Sequence, residues 1–317
     1  MNYKITYIGK ESRCGQLTKP IVEIKNLNKK IKGKHIIKNL NLDFYPGQIT
    51  GFLGPNGAGK TTTIRMMTGL MYPSEGEVVI DGHMLSKNYE KAISNIGVIV
   101  ENPEMYKFMS GYKNLQHFAR MHKGVTKERI DEVVAQVGLQ NRIHEKVKTY
   151  SLGMRQRLGL AQAMLHRPKF LILDEPTNGL DPAGIREFRM YLRKIAAEDN
   201  VAIVVSSHLL SEIELMVDRI AIIQNGELID IRELEQQVAA QYYIEVGQPE
   251  QLIGLFEEPL EKEKGGYVVN LTKEEVPAFV RRLVESGIDL YTIQPIQKGL
   301  EDQFIEMTGG GAIDAIR

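Results

Sequence analysis

Short apolar runs alternate with amphipathic stretches along most of the chain, a pattern typical of α/β proteins. Apolar runs predict buried strands at Ile49–Leu53 and at residues 96–100, 170–173 and 201–205. More polar strands are predicted at residues 21–25, 35–42 and 77–80, and a hairpin at residues 220–229 closes this part. Helical patterns follow at residues 60–68 and 150–165. The expected fold is therefore α/β, with a mixed core sheet and flanking helices.

Two stretches depart from this pattern. Residues 103–150 have helical periodicity only, which predicts a helical subdomain inserted between strands of the core. The composition changes after about residue 237, where strands are predicted at 242–246, 267–271 and 291–296 and helices at 250–257, 274–286 and 300–307. We therefore predict a main domain over residues 21–240 and a small α+β domain over 241–317. Residues 1–20 are polar and irregular, and are expected to form a disordered extension.

Composition excludes several classes of protein. The 317 residues include 40 basic and 40 acidic side chains, so nothing indicates a general nucleic-acid binder. The single cysteine, Cys14, rules out a framework of disulfides within the chain and suits a reducing compartment. No window approaches the roughly 18 apolar residues of a membrane span, and the N-terminus lacks the pattern of a secretory signal. A cytoplasmic protein is expected.

Residues 54–61, Gly-Pro-Asn-Gly-Ala-Gly-Lys-Thr, fit the phosphate-loop pattern Gly-x4-Gly-Lys-Ser/Thr, with a predicted strand before and a predicted helix after. Glycine allows consecutive amide groups to turn toward phosphate oxygens, the lysine supplies a positive charge, and the threonine hydroxyl is a ligand for Mg²⁺. The alternative, a chance glycine-rich turn, does not account for the flanking elements. The predicted nucleotide-binding residues are Gly54, Pro55, Asn56, Gly57, Ala58, Gly59, Lys60, Thr61 and Thr62.

Polar residues at the ends of two later strands add catalytic chemistry. Asp174 and Glu175 follow the apolar run at 170–173, and His208 follows the run at 201–205. One carboxylate can hold Mg²⁺ while its neighbour orients or deprotonates an attacking water. The alternatives are an ordinary strand-end charge for Glu175 and a structural role for His208.

The order of these motifs resembles the ATP-binding subunit of ABC transporters over residues 21–230. By this resemblance residues 54–62 are the Walker A loop, Asp174 is the Walker B carboxylate, Glu175 is the catalytic base and His208 is the switch histidine. Thr61 and Asp174 would hold Mg²⁺ beside ATP. The loop at residues 178–181 is similar to the D-loop at the seam of a dimer.

The segment Tyr-Ser-Leu-Gly-Met at residues 150–154 resembles the family signature Leu-Ser-Gly-Gly-Gln. Ser151 and Gly153 are retained. By the resemblance they would contact the γ-phosphate bound to a second ATP-binding subunit, and a homodimer of two copies of this chain is expected. A plain helix cap by Ser151 is compatible with that role. Glu101 replaces the glutamine that meets the metal and the membrane partner, although a solvent-exposed charge is the alternative. Ile31 occupies the position of the usual adenine-stacking aromatic residue.

These departures and the C-terminal unit resemble the exporter branch that includes bacitracin and lantibiotic self-protection transporters. The resemblance implies an ATPase on the inner face of the cell membrane, partnered by polytopic membrane-spanning permease subunits and a second ATP-binding subunit, with no nucleic-acid partner. The alternatives are an ABC-type ATPase acting in translation or DNA repair and a regulatory ATP sensor. The single nucleotide domain and balanced charge argue against the first, and Glu175 with His208 argues against the second.

Overall fold

A computed structural model describes residues 19–100, 103–208, 213–234, 240–253, 260–263, 265–271 and 275–296. The chain divides into two compact units, Met1–Glu233 and Leu234–Arg317. Three sequence predictions lie outside the described residues: the extension at 1–20 apart from its last two residues, the metal ligand Glu101, and the helix at 300–307.

The first unit contains ten strands among the described residues. They are β1 (Val22–Ile31), β2 (Lys34–Phe44), β3 (Ile49–Leu53), β4 (Glu75–Ile80), β5 (His83–Met84), β6 (Ile96–Ile99), β7 (Phe170–Asp174), β8 (Ala202–Ser207), β9 (Arg219–Gln224) and β10 (Glu227–Glu233).

Six of these strands form the core sheet, in the order β10-β9-β3-β8-β7-β6. Strands β3, β6, β7, β8 and β9 are parallel, and β10 is antiparallel to β9. The predicted mixed sheet is therefore confirmed. The apolar strands β3, β7 and β8 are buried along their whole length. Because parallel strands end at the same edge of a sheet, the residues after Leu53, Asp174 and Ser207 come together there.

The remaining four strands form a separate antiparallel sheet, in the order β2-β1-β4-β5. The basic residues 29–34 belong mostly to the strands of this sheet, because β1 and β2 stay paired as far as Ile31 and Lys34. Only Lys32 and Gly33 form the turn, and both have positive φ angles, of 48° and 80°. Such a two-residue turn matches the twist of the flanking strands.

The helices of the first unit are α1 (Lys60–Met67), α2 (Tyr89–Ile93), α3 (Gly111–Ala119), α4 (Lys127–Gln136), α5 (Leu152–Met164) and α6 (Pro182–Asp199) among the described residues. Helices α3 and α4 and a 3₁₀ turn at Val147–Thr149 occupy the stretch predicted to be helical. Four of the six helices begin with a polar side chain that accepts a hydrogen bond from the first helical turn, which satisfies an otherwise unpaired amide. These caps are Ser110, Thr126, Ser151 and Asp181.

The second unit contains β11 (Ala240–Val246), α7 (Pro249–Ile253), β12 (Glu261–Glu263), β13 (Gly266–Leu271), α8 (Val276–Glu285) and β14 (Leu290–Ile296). Its antiparallel sheet has the order β12-β13-β11-β14. The succession β-α-β-β-α-β with this order is the split βαβ, or ferredoxin-like, arrangement. Buried residues of the sheet, of both helices and of the connection before β14 form its core: Tyr242, Ile244, Val246, Leu252, Tyr267, Val269, Leu283 and Ile288. The sequence pattern located three of the four strands and missed the three-residue strand β12.

Candidate active site

The phosphate loop lies between the end of β3 and the start of α1, at the edge where the parallel strands end. Two of its glycines have backbone conformations that side chains rarely adopt, with φ angles of 80° at Gly57 and 113° at Gly59. A third, Gly54, has no room for a side chain, since a Cβ there would lie 2.2 Å from the carbonyl oxygen of Ile223. Gly57 and Gly59 are therefore required by the conformation of the loop, and Gly54 by the close approach of β9.

Helix α1 begins directly after this loop. Its cap is Gly59, which has no side chain with which to bond the first amides of the helix. The first turn of a helix leaves amide N–H groups without partners inside the helix, and the helix dipole favours an anion at that end. Asn56 and Gly57 are exposed at the rim of the loop. The residues present therefore fit the phosphate groups of a nucleotide.

Lys60 places a buried positive charge within this loop, since its side chain is only 7% exposed. The ammonium nitrogen donates to the carbonyl oxygen of Gly54 at 2.6 Å and lies 3.7 Å from Oε1 of Glu175. Burial lowers the pKa of Lys60 from its ordinary value, and the negative charges of Glu175 and Asp174 act in the opposite direction. A poorly solvated ammonium group of this kind interacts strongly with an added anion.

Asp174 is the last residue of β7 and is 2% exposed. Its Oδ1 atom accepts a hydrogen bond from the hydroxyl of Ser206 at 2.5 Å, and its Oδ2 atom lies 3.4 Å from the hydroxyl of Thr61. Carboxylate and hydroxyl oxygens are the hard ligands that Mg²⁺ prefers. The pair formed by Thr61 and Asp174 therefore fits a magnesium ion beside the phosphate loop.

Glu175 and His208 form a second polar pair next to this one. The Oε2 atom of Glu175 lies 2.9 Å from Nδ1 of His208. The two side chains are 24% and 36% exposed, so both remain accessible to water. Glu175 has a φ angle of 48°, a left-handed conformation that is uncommon outside glycine and that recurs at functional sites. A carboxylate that is accessible to water and held in this way is a candidate general base.

The structure thus brings Lys60, Thr61, Asp174, Glu175 and His208 into one hydrogen-bonded and ionic cluster. Sequence reasoning missed Ser206, whose hydroxyl is completely buried and contacts both acidic residues. The available signal was a serine at the end of an otherwise apolar strand, where a buried hydroxyl needs a partner.

Ser151 and Gly153 lie elsewhere in the fold, at the beginning of α5. The Ser151 hydroxyl accepts a hydrogen bond from the amide of Met154 at 3.2 Å, as the predicted helix cap requires, and the residue is exposed. Gly153 is partly exposed, and a Cβ placed on it would lie 3.7 Å from Leu180 in the 178–181 loop. Within the described part of the chain, no hydrogen bond joins Ser151 to the cluster around Lys60.

Similarity to known proteins decides the family. The ABC transporter family pattern matches residues 37–178. The uncharacterized ABC transporter ATP-binding protein YhcH of Bacillus subtilis is 58% identical over 295 residues, which cover 92% of this chain and 97% of the relative. The chain belongs to the ABC transporter ATP-binding proteins. It therefore binds and hydrolyses ATP, as the sequence predicted.

Two further comparisons sharpen this assignment. The bacitracin transport ATP-binding protein BcrA of Bacillus licheniformis is 39% identical over 302 residues, covering 92% of this chain and 99% of that protein. A solved structure of the ATP-binding subunit of an ABC transporter is 27% identical, with a TM-score of 0.61, covering 68% of this chain and 90% of that one. The resemblance to the bacitracin and lantibiotic branch is confirmed, and so is the P-loop NTPase fold.

ABC ATP-binding subunits form dimers and work with membrane permeases. No helix among the described residues of this chain is both long enough and apolar enough to cross a membrane. The cluster around Lys60 contains Thr61, Asp174, Glu175 and His208, whereas Ser151 and Gly153 lie outside it.

Proposed function

We propose that this chain is the ATP-hydrolysing subunit of an exporter for antimicrobial peptides or similar hydrophobic compounds. The similarity to the bacitracin transport protein carries this proposal, because it extends over 92% of the chain and is not confined to the family's common ATPase region. The second unit, which lies beyond the matched family region at 37–178, is thus included in that similarity.

The cluster around Lys60 supports a division of chemical roles. The phosphate loop binds the triphosphate, and Lys60 contacts its β- and γ-phosphates. Thr61 and Asp174 hold Mg²⁺, which neutralises the charge that develops on the phosphates. Glu175 orients the attacking water and accepts its proton, with His208 held beside it. Glu101 as a further metal-shell group remains a prediction, since it lies outside the described residues.

A second copy of the chain completes each site in this proposal. Ser151 and Gly153 of one subunit contact the γ-phosphate held by the Walker residues of the other, so two ATP molecules lie between two subunits. The support is the exposure of Ser151 at the N-terminus of α5, where a hydroxyl and free amides favour an anion. We propose another copy of this chain as the second ATP-binding subunit.

The permease partner docks near the helical segment between residues 103 and 150. An exposed group of rings supports this site: Phe108 is 67% exposed and Tyr106 is 42% exposed, with ring centroids 5.8 Å apart. The His117 ring packs against Tyr106 at 5.1 Å and extends the group onto α3. Exposed aromatic residues of this kind are enriched at protein interfaces. The chain then works in the cytoplasm, on the inner face of the cell membrane.

Co-purification and drug susceptibility together test the proposal. The tagged chain is expected to bring down a polytopic membrane protein, and its loss is expected to make the cell more sensitive to bacitracin or a lantibiotic. Glu175→Gln is the matched control, because it removes hydrolysis while keeping the side-chain shape. A chain that purifies with ribosomes or DNA, or whose loss changes no susceptibility to these peptides, would contradict the proposal.

A further inference from the structure

Ser206 is completely buried and contacts both acidic residues of the site. It lies on β8 beside Asp174 on β7, since the two residues are direct partners in the parallel pairing. Its hydroxyl donates to Oδ1 of Asp174 at 2.5 Å and accepts a hydrogen bond from the amide of Glu175 at 3.0 Å. The Ser206 hydroxyl thus donates one hydrogen bond to Asp174 and accepts another from the next residue, Glu175.

The bond to Asp174 determines which carboxylate oxygen is available. Oδ1 is engaged by Ser206, whereas Oδ2 lies near the Thr61 hydroxyl, the other predicted magnesium ligand. A hydrogen bond from a neutral donor to a carboxylate also limits rotation of that carboxylate. Ser206 therefore orients Asp174 so that Oδ2 is presented to the metal.

The bond to Glu175 acts on the backbone. The Glu175 amide also bonds the carbonyl oxygen of Ser206, at 3.2 Å, so the backbone and the hydroxyl of Ser206 hold the same N–H group. Glu175 has the left-handed φ angle of 48°. Such a conformation persists where neighbouring groups determine it. The contacts of Ser206 therefore help to direct the Glu175 side chain toward His208.

We propose that Ser206 is a positioning residue that sets the orientation of the magnesium-binding carboxylate of Asp174 and of the base Glu175. This inference rests on the proposed roles of Asp174 and Glu175. Outer groups that orient metal ligands typically contribute about 10- to 100-fold to metal affinity or activity. The effect of removing the hydroxyl is thus expected in magnesium-dependent binding and in turnover, and not in the binding of metal-free nucleotide.

Ser206→Ala tests this with the full chain and a fluorescent ATP analogue, in excess Mg²⁺ and separately in EDTA. We expect the affinity in Mg²⁺ to fall about tenfold and the affinity in EDTA to stay unchanged. The Mg²⁺ concentration for half-maximal ATPase activity should rise by a similar factor. Ser206→Thr and Ser206→Val form a matched pair of similar shape. Only the threonine variant, which keeps a hydroxyl, should bind the ATP analogue in Mg²⁺ as tightly as the wild-type chain.

Thr68→Val serves as a control for loss of a buried hydroxyl, since Thr68 bonds the carbonyl oxygen of Ile64 at the end of α1. It should leave both affinities at the wild-type value. Equal losses for Ser206→Ala in Mg²⁺ and EDTA, or identical behaviour of the threonine and valine variants at equal melting temperature, would overturn the inference. A wild-type chain whose nucleotide binding ignores Mg²⁺ would instead contradict the proposed metal site.

Discussion

The Walker residues and the signature residues differ sharply in how the fold holds them. Lys60, Asp174 and Ser206 are 6%, 2% and 0% exposed; Ser206 bonds Asp174, and Lys60 lies 3.7 Å from Glu175. Ser151 is exposed, and its hydroxyl caps its own helix. The predicted Walker residues thus lie together within one chain, whereas the signature residue Ser151 lies at the surface.

The comparison shows which groups of the site are held in place by contacts within the chain. Buried charges require partners, so the Walker cluster is built from groups that satisfy one another. An exposed helix N-terminus needs no such partner, because water satisfies it. A surface cap can therefore be used by a second subunit without any change in the core of the first.

The largest effect is expected from changing Glu175, the proposed proton acceptor of the cluster around Lys60. Glu175→Gln keeps the shape of the side chain and removes the carboxylate, so ATP hydrolysis should fall by about 10²- to 10⁴-fold, the usual contribution of a general base. ATP affinity should stay near the wild-type value. A steady-state ATPase assay and a nucleotide-binding titration measure the two quantities.

The same variant should accumulate as an ATP-bound dimer, which size-exclusion chromatography with Mg-ATP detects. Glu187→Gln is the control, because Glu187 lies in α6, is 51% exposed and contacts Arg157 at 3.7 Å. A Glu175→Gln protein that stays monomeric and turns over ATP normally would show that another group accepts the proton.

A smaller effect on ATPase activity is expected from substitutions of the exposed signature residue Ser151. Ser151→Asp and Ser151→Asn both keep a good helix cap, but only the aspartate adds negative charge where the γ-phosphate is proposed to bind. A hydrogen bond to a charged group is worth about 1.5–3 kcal/mol, so Ser151→Asp should lower ATPase activity by about 10- to 100-fold. Ser151→Asn should lose less. Melting temperatures of the pair verify that the cap is retained.

Mixing the Ser151→Asp and Glu175→Gln variants tests directly whether each ATP site is formed by two chains. A dimer of one Ser151→Asp chain and one Glu175→Gln chain has one composite site with both halves intact. Random pairing should then restore about a quarter of the wild-type activity in a symmetric dimer with independent sites. No recovery on mixing, with dimers present, would mean that each site lies within a single chain.

The smallest effect concerns Ile31, which is predicted to lie beside the base of the nucleotide and is 38% exposed. An isoleucine cannot stack on a base as an aromatic ring does. Base–aromatic stacking is worth about 1–3 kcal/mol, so Ile31→Tyr should tighten ATP binding by about fivefold or more. Ile31→Leu is the matched control and should change nothing.

Competition with GTP completes that test. Without a stacking ring, the wild-type chain should bind ATP and GTP with similar affinities. A preference for ATP above about a hundredfold, or roughly 2.8 kcal/mol, would show that a different group recognises adenine.

Local sequence determined the elements that depend on neighbouring residues. The pattern of Gly54, Lys60 and the glycines between them predicted the phosphate loop, because one short run of the chain forms it and the backbone at Gly57 and Gly59 has positive φ angles that favour glycine. Ser151 and Asp181 likewise act as caps within one turn of their own helices. Such local demands leave a pattern that can be recognised without knowledge of the rest of the fold.

Tertiary structure alone decided how distant strands pair. Strand β3 lies between β8 and β9, which begin about 150 residues later in the chain, and the strands of the first unit divide between two sheets. Apolar periodicity predicts that a strand is buried but does not choose its neighbour. The contact of Ser206 with Asp174 exists only because β7 and β8 are paired in this register. That register depends on the packing of whole strands, since a shift of one residue would turn the serine to the opposite face of the sheet.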